Sequence, residues 1–309
     1  MTLFYYDPIF LEHDTGQHPE NANRLRAVTQ CLDNSSLNGS LQRMTWDPAT
    51  SDEVCLVHQP ETFDAIKSFA DKGGGQIEAD TVVSKRSFDA TSMAAGAACD
   101  AVRQVLSGVD KTAFCAVRPP GHHALPDQPM GFCLFNSVAV AARLATQKLG
   151  CERVLIVDWD VHHGNGTQDI FWEDPSVGFL SMHRFPFYPG SGRADEVGNG
   201  AGKGTTVNLP IAFGTSRKDQ LDKLRGGVED FADQLKPDLV LISAGFDSHA
   251  TDPVGSLGLE TEDFEEFTKI VLDVAKAHAG GRVVSLLEGG YNPEALAESV
   301  ECHLTQLAK

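Results

Sequence analysis

Three side chains that could bind a metal ion alternate along one short segment: Asp158, Asp160 and His162. Alternate residues of an extended chain project to the same face, so these side chains would lie together. Two carboxylates and an imidazole are costly to bury unless a positive charge sits among them. A divalent metal supplies that charge, and Asp247 could add a third ligand. Such a set is typical of catalytic zinc, although a structural salt-bridge cluster is the alternative that the spacing leaves open.

A second polar cluster, His122 and His123, follows a Pro-Pro-Gly turn. Histidine is the natural general acid and base near neutral pH, and a partner on one ring nitrogen fixes the role of the other. Asp158 and Asn165 are candidates for those partners. Tyr291 follows two glycines, which let a backbone approach a site closely, and its hydroxyl could donate to a developing oxyanion. Surface histidines and a tyrosine packed under a loop are the alternatives.

The elements that must position these residues are short apolar runs separated by longer helical patterns. Some runs, such as 154–157, are apolar throughout, which is typical of parallel strands covered on both faces. We predict strands at 3–6, 41–44, 113–117, 154–158, 177–181, 206–209, 239–243 and 283–287. We predict helices at 19–33, 60–71, 87–106, 136–148, 217–235, 261–279 and 293–307. The alternation predicts one α/β domain over residues 1–309, with a doubly wound, mostly parallel sheet.

Turn-forming residues mark the boundaries of these elements. Pro19 and Pro293 suit the first turn of a helix, and the glycine-rich stretches 73–75 and 190–204 predict loops. Ligands of open parallel sheets bind beyond the carboxyl ends of the strands. Four predicted strands run into reactive residues, at 118–123, 158–165, 244–247 and 288–291. A parallel sheet would therefore bring all four polar clusters to one edge.

Composition restricts the class of protein. The 309 residues include 25 basic and 43 acidic side chains, a net charge of −18, so we expect no nucleic acid partner. That charge could attract cationic substrates or serve solubility alone. The seven cysteines form no C-x-x-C pair, so we expect no disulfide framework and a reducing, cytoplasmic location. We find no signal peptide and no long apolar run, so we expect no membrane partner.

Taken together, the motifs resemble those of the histone deacetylase family, whose members have the arginase–deacetylase fold. The matching segments follow the family's order over nearly the whole chain: 18–20 with Arg24, 118–124, 131–136, 158–167, 181–183, 188–192, 244–248 with 252–253, and 287–292. The resemblance implies three layers, with an eight-stranded, mostly parallel sheet flanked by helices. The triplet 73–75, Asn165 and the segment 287–291 look more like the class II branch and its bacterial relatives.

The resemblance also implies two cation sites. Asp160, His162 and Asp247 match the ligands of one zinc ion per chain. Family members also bind a potassium ion beside the zinc. The residues that match this second site are Asp158, Ser181 and Met182, together with the backbone of Asp160 and His162.

For catalysis, the resemblance implies that His123 is the general base and then acid, with Asn165 as its orienting partner. Many class I members carry an aspartate where Asn165 stands, so the basicity of His123 would differ here. His122, oriented by Asp158, matches the second histidine of the family. Tyr291 matches the tyrosine that stabilises the transition state.

A substrate tunnel is implied as well. Phe132 and Tyr188 match its aromatic walls, although the second wall is often phenylalanine in the family, and Gly131 lines the same tunnel. Asp80 matches a loop residue that binds the substrate backbone, and Arg24 matches an arginine beneath the tunnel floor. His18 and Pro19 are also expected to bind substrate. Val254 stands where one polyamine-selective branch has an acidic gatekeeper.

The expected function is zinc-dependent hydrolysis of an N-acyl amide, with acetyl as the expected acyl group, on lysine or a lysine-like amine. The partner would be an acylated protein, a peptide or a small amine such as an acetylpolyamine, and a homo-oligomer is compatible with the sequence. The alternatives are an arginase-like ureohydrolase with two manganese ions and a non-catalytic module that binds acylated ligands. The order D-x-D-x-H argues against the first, and the intact set of His122, His123 and Tyr291 against the second.

Overall fold

Eight strands form one sheet in which every neighbouring pair is parallel, and two more form a small antiparallel hairpin. The computed structural model describes residues 1–309. Strands β1 to β10 span, in chain order, Thr2–Tyr5, Leu41–Arg43, Gly74–Glu78, Thr81–Ser84, Thr112–Cys115, Val154–Asp158, Val177–Arg184, Thr206–Ile211, Leu239–Ala244 and Val283–Leu287. Helices α1 to α9 span Asn23–Asn34, Ser51–Val54, Pro60–Asp71, Ser87–Ser107, Ser137–Lys148, Asn165–Phe171, Arg217–Leu235, Thr261–His278 and Pro293–Leu307. Short 3-10 helices cover Pro8–Glu12, Ser36–Ser40 and Gly200–Gly202.

The order across the large sheet is β2-β1-β5-β10-β9-β6-β7-β8. The four central strands, β5, β10, β9 and β6, are buried at every residue, because helices cover both faces of the sheet. Helices α1, α7, α8 and α9 pack together as one layer, and α4 and α5 pack together in the other. The three-layer α/β fold expected from the sequence is therefore confirmed.

The core of the protein is one apolar cluster that joins the sheet to both helical layers. It contains 71 buried residues, which include nearly all of the apolar side chains of the central strands. A second, smaller cluster lies under α3 and the hairpin and is centred on Phe135. None of the helices has the length and the apolar character needed to cross a membrane.

Each of the eight predicted strands is present, and its bounds differ from the prediction by at most three residues. The helix predicted from Pro19 begins only at Asn23. Residues before it form bends, because Glu20 turns into the interior, where its side chain is fully buried beside Arg118.

The loop predicted at 73–75 is also wrong in part. Strand β3 begins at Gly74 and pairs with β4. Gly74 has φ of +76°, and a Cβ atom there would collide with the backbone carbonyl of Val83. The glycine therefore permits close strand pairing rather than an open loop. The short helices α2 and α6 were not predicted, since segments of 4 and 7 residues carry little helical periodicity.

Candidate active site

The polar clusters meet because the four strands that carry them are neighbours in the sheet. Strands β5, β10, β9 and β6 are adjacent and parallel, so their carboxyl ends lie along one edge. The segments 118–123, 288–291, 244–252 and 159–165 leave these ends. Residues separated by more than a hundred positions in sequence are thus brought into contact at one edge of the sheet.

Asp160, His162 and Asp247 form a cluster at this edge that could hold a metal ion. Their nearest ligand atoms all lie within 4.8 Å of one another, and all three residues are buried. His162 Nδ1 is 3.0 Å from Asp160 Oδ1 and 3.2 Å from Asp247 Oδ2. Asp247 Oδ2 is buried and has no partner with hydrogen-bond geometry. An unpaired carboxylate oxygen beside a second buried carboxylate fits a cation, because burying such charges alone would be costly.

The two carboxylates are held in place by backbone amides. Gly289 N donates to Asp160 Oδ2 over 2.8 Å, and Val161 N donates to Asp247 Oδ1 over 2.8 Å. A Cβ atom at position 289 would collide with both carboxylates, so only glycine allows this approach. These amide contacts orient the ligands, which is the usual role of the groups around a metal site.

The two adjacent histidines have different partners. His122 Nδ1 lies 2.9 Å from Asp158 Oδ2, and His123 Nδ1 lies 2.7 Å from Asn165 Oδ1. An amide oxygen can only accept, so His123 donates from Nδ1, and in the neutral ring Nε2 keeps its lone pair. The sequence named both pairings, and the structure places the four side chains accordingly.

The histidines also differ in charge. Burial opposes a charge on His122, but Asp158 and Asp160 outweigh it and raise the pKa of His122 to about 10. For His123, burial and the neighbouring His122 and His162 lower the pKa well below its usual value. The surroundings therefore favour the charged form of His122 and the neutral form of His123, and the two ring centroids are 4.0 Å apart.

A narrow cavity of about 160 Å³ leads to these groups. Its lining residues are Asp80, His123, Gly131, Phe132, His162, Phe187, Tyr188, Val254 and Tyr291. Seven of them were named as site residues from the sequence, Val254 was named only as the residue at the gatekeeper position, and Phe187 was not named. Phe187 stacks on His162 with ring centroids 5.3 Å apart, and its signal in the sequence was the aromatic-rich segment 185–188.

The wall formed by Gly131 and Phe132 has an unusual backbone. Both residues are in the left-handed region, with φ of 56° and 70°. A Cβ atom at position 131 would collide with the ring of His123, so glycine is required there. For Phe132 this conformation costs on the order of 1–3 kcal/mol, so the surrounding structure must hold it.

Tyr291 lies buried at the base of the cavity, where Arg24 supports its ring. The Arg24 guanidinium carbon is 4.9 Å from the ring centroid, and Arg24 also donates to the carbonyls of Glu288 and Gly290. Burial raises the pKa of Tyr291 well above its usual value, so its hydroxyl keeps its proton. Tyr291 N donates to Asp252 Oδ2 over 2.6 Å. The ring and the backbone of Tyr291 are therefore held in place, and its hydroxyl can act as a donor.

Some predicted substrate-binding residues lie outside the cavity wall. The ring of His18 packs edge-on against Phe132, with centroids 4.5 Å apart, but His18 does not line the cavity. Pro19 does not line it either.

The residues expected to hold potassium lie at the end of β6, just after it, and on the neighbouring strand β7. Ser181 is opposite Asp158 in the strand register, and Met182 follows it in β7. The other two named residues, Asp160 and His162, lie just after β6. Potassium binding stays a prediction.

Glu288 is a site residue whose role the sequence did not reveal. It is buried at the end of β10, where it accepts from Gly121 N over 2.6 Å and from His122 N over 3.2 Å. It thereby holds the turn that carries both histidines. Burial raises the pKa of Glu288 to about 7. The signal was an acid directly after a buried strand that is apolar except for Ser285.

Known proteins are similar in sequence to this chain over most of its length. The family described as the histone deacetylase domain matches residues 18–307. A histone deacetylase-like amidohydrolase of Pseudomonas aeruginosa is 35% identical over 94% of this chain and 82% of its own length. A probable deacetylase of Archaeoglobus fulgidus is 38% identical over 92% of this chain and 80% of its own.

The fold is shared as well. The crystal structure of the HDA15 HD domain superposes with a TM-score of 0.94, at 37% identity, over 99% of this chain and 87% of that one. The agreement in sequence and in fold extends over the sheet and all of the segments that carry the site. The chain therefore belongs to the histone deacetylase family.

Proposed function

We propose that the protein is a zinc-dependent amidohydrolase that removes an acetyl group from the amine of a lysine-like chain. One observation carries the proposal. Three buried side chains that could bind a metal lie beside a small cavity, together with a histidine that Asn165 orients. Its relatives include proteins described as deacetylases and amidohydrolases, which supports hydrolysis of an amide.

Asp160, His162 and Asp247 would hold the zinc ion. Two oxygens and one nitrogen suit zinc, and the buried, unpaired Oδ2 of Asp247 fits a bound cation. When bound, zinc supplies Lewis acidity, which polarises a carbonyl and makes water a better nucleophile at neutral pH.

His123 would transfer a proton from the attacking water to the leaving amine. Its Nε2 accepts a proton from the water as the new C–O bond forms, because Asn165 holds the proton of the neutral ring on Nδ1. The same nitrogen then gives this proton to the amine nitrogen as the C–N bond breaks. The new carboxylic acid gives its remaining proton to water or to the amine, so the products are a carboxylate and a free or protonated amine. The positive ring of His122 beside it favours the negative charge that develops on the carbonyl oxygen.

Tyr291 would stabilise the same oxygen. Its hydroxyl stays protonated, and its ring is fixed between Arg24 and Phe132. A donor that is already in place loses little free energy to reorganisation when charge appears, which is the main advantage of an oxyanion site.

The shape of the cavity supports a thin, extended substrate. Its volume of about 160 Å³ is well below the 300–1,000 Å³ of pockets that hold drug-sized ligands. Phe132, Phe187 and Tyr188 provide apolar walls suited to a methylene chain, whereas Asp80 adds a carboxylate to the lining. An acetylated polyamine is the second candidate substrate, favoured by this acid and by the net charge of −18.

The test measures free amine released from an acetyl-lysine peptide and from an acetylpolyamine, with metal-stripped and zinc-loaded protein side by side. Metal-dependent release supports the proposal, and the better substrate identifies the branch. Tight binding of both compounds by zinc-loaded protein without release would instead indicate a binding module. Two equivalents of manganese and urea release from a guanidino substrate would indicate a ureohydrolase.

A further inference from the structure

The β3–β4 hairpin reaches the wall of the active-site cavity. Asp80 lies in its turn and Thr81 begins β4, and Thr81 is fully buried although no residue of the outer strand β3 is buried. Asp80 also lines the cavity. A two-stranded hairpin this short is marginally stable alone, and this one packs on α3 and α4 and also makes contacts at its tip.

Two consecutive hydrogen bonds join this tip to the left-handed wall. Gly131 N donates to Asp80 Oδ1 over 3.1 Å, and Phe132 N donates to Thr81 Oγ1 over 3.1 Å. Thr81 Oγ1 in turn donates to Asp80 Oδ1 over 2.9 Å. Asp80 Oδ1 and Thr81 Oγ1 therefore accept the backbone N–H groups of Gly131 and Phe132, the two wall residues with positive φ.

The strained segment is also closed at its base. Met130 and Cys133 exchange two backbone hydrogen bonds, Met130 N to Cys133 O and Cys133 N to Met130 O. That bridge fixes the ends of the turn but leaves the amides of Gly131 and Phe132 without a backbone partner. The hairpin tip supplies the partners, so it decides where the Phe132 ring stands relative to Tyr291 and His18.

We propose that Asp80 and Thr81 form a clamp that holds Gly131 and Phe132 in their left-handed conformation and thereby sets the width of the substrate cavity. Thr81 is a positioning residue, since it acts through Phe132 and does not line the cavity. Asp80 has a structural task in addition to any contact with substrate. The consequence for substrate selection rests on the proposed amidohydrolase function, whereas the clamp itself does not.

The direct test is amide hydrogen exchange at single-residue resolution, by NMR, in zinc-loaded protein. Thr81→Val keeps the shape of the side chain and removes its hydroxyl, and Thr81→Ser restores the hydroxyl. We expect the Phe132 amide to exchange at least tenfold faster in Thr81→Val than in the wild type, and within threefold of the wild type in Thr81→Ser. Equal exchange in wild type and Thr81→Val, or equal acceleration in both variants, would overturn the clamp.

Asp80 provides a matched pair of variants. Asp80→Asn keeps a side-chain oxygen that can accept from Gly131 N, whereas Asp80→Ala does not. We expect the Gly131 amide to stay protected in Asp80→Asn and to exchange at least tenfold faster in Asp80→Ala. Loss of protection in both variants, or in neither, would contradict the assigned hydrogen bond.

Steady-state kinetics test the effect on substrate. In Thr81→Val we expect KM for the acetyl-lysine peptide to rise about tenfold with kcat within about threefold of the wild type, and Thr81→Ser to restore KM. An unchanged KM, or a loss confined to kcat, would overturn the role in selection. If the wild type hydrolyses neither substrate, the proposed function fails, and the exchange measurements still decide the clamp.

Discussion

At the scale of single residues, the proposed mechanism needs the hydroxyl of Tyr291, whereas the packing of this residue against Arg24 and Phe132 uses only its ring. Replacing Tyr291 by Phe should keep the ring between Arg24 and Phe132 and lower kcat by about 10²–10³. Substrate affinity should change little. Steady-state kinetics measure both, with Tyr6→Phe as the control because Tyr6 lies outside the cavity. An unchanged kcat would remove Tyr291 from the mechanism.

The metal ligands allow a second prediction at this scale. Zinc bound by the folded state should raise its free energy of unfolding by about 2.7 kcal/mol at a concentration 100 times Kd. Asp247→Ala should remove this stabilisation and the bound zinc, because it deletes one of three ligands. Thermal unfolding with and without zinc, together with metal analysis, makes the measurement.

The control for that experiment is Asp273→Ala, an exposed acid on α8. It should retain one zinc per chain and the zinc-dependent shift in Tm. A full shift in Asp247→Ala would show that the ion binds elsewhere.

At the scale of elements, a buried ion cluster joins the segment before α1 to the end of β5. Glu20 accepts from Arg118 and Arg24 and lies 3.5 Å from His13, with all of these side chains buried. Burial opposes the charge, but Arg118 and His13 hold the pKa of Glu20 well below its usual value. Its contribution to stability is therefore present above the ordinary carboxyl pKa and is lost only in strong acid.

Replacing Glu20 by Gln should lower the free energy of unfolding by about 3–5 kcal/mol, because it leaves two buried arginines without their counter-charge. Urea denaturation at pH 7.5 measures the change. Glu294→Gln, at an exposed position in the first turn of α9, is the control and should change stability by about 0.5 kcal/mol at most. A similar small effect in Glu20→Gln would contradict the importance of the cluster.

The central strands and the location of the site could be predicted from the sequence. The central strands were predictable because a strand covered on both faces is apolar throughout, as β6 is at 154–157. The ends of those strands then located Asp160, His123 and Tyr291. Family resemblance, rather than periodicity, supplied their separate roles.

Other features depend on contacts that no local pattern carries. The hairpin was missed because β3 is glycine-rich and has no buried residue, so it lacks apolar alternation. Glu20 and Glu288 read as ordinary acids in the sequence, and their burial depends on partners about a hundred residues or more away. Phe187 was missed since one aromatic among several gives no sign of which ring faces the cavity.

At the scale of the whole molecule, buried neutral histidines make stability depend on pH. His58 donates from Nδ1 to Leu125 O and accepts at Nε2 from Asn136 N, and burial lowers its pKa to about 4. Burial alone lowers the pKa of His303 to about 3. Below a pH of about 6.5 these histidines bind protons in the unfolded state but not in the folded state. The free energy of unfolding should therefore fall as the pH falls.

Each such histidine should contribute up to about 1.4 kcal/mol of lost stability per pH unit between about pH 6 and pH 4. His303→Gln should therefore flatten the pH dependence by the share of one histidine, although it lowers stability at neutral pH. Urea denaturation of both proteins at pH 7.5, 6.0 and 5.0 measures the slope. Parallel slopes would show that His303 takes up its proton in the folded state.

The net charge of −18 predicts how salt affects catalysis. The Debye length is about 10 Å at 0.1 M salt and shortens as salt is added. Added salt should therefore weaken the long-range attraction between the protein and cationic substrates. We expect kcat/KM for an acetylpolyamine to fall about three- to tenfold between 20 mM and 300 mM NaCl. A capped, uncharged acetyl-lysine peptide is the control and should respond little. Equal responses would assign the charge to solubility alone.

Strand β10 is the last strand in the chain, yet it lies between β5 and β9 in the middle of the sheet. During synthesis, residues 112–115 and 239–244 leave the ribosome long before their shared neighbour at 283–287 does. Until then both strands present unpaired edges, which invite misassembly and aggregation. The facing edges of these two strands therefore stay exposed until residues 283–287 have been translated.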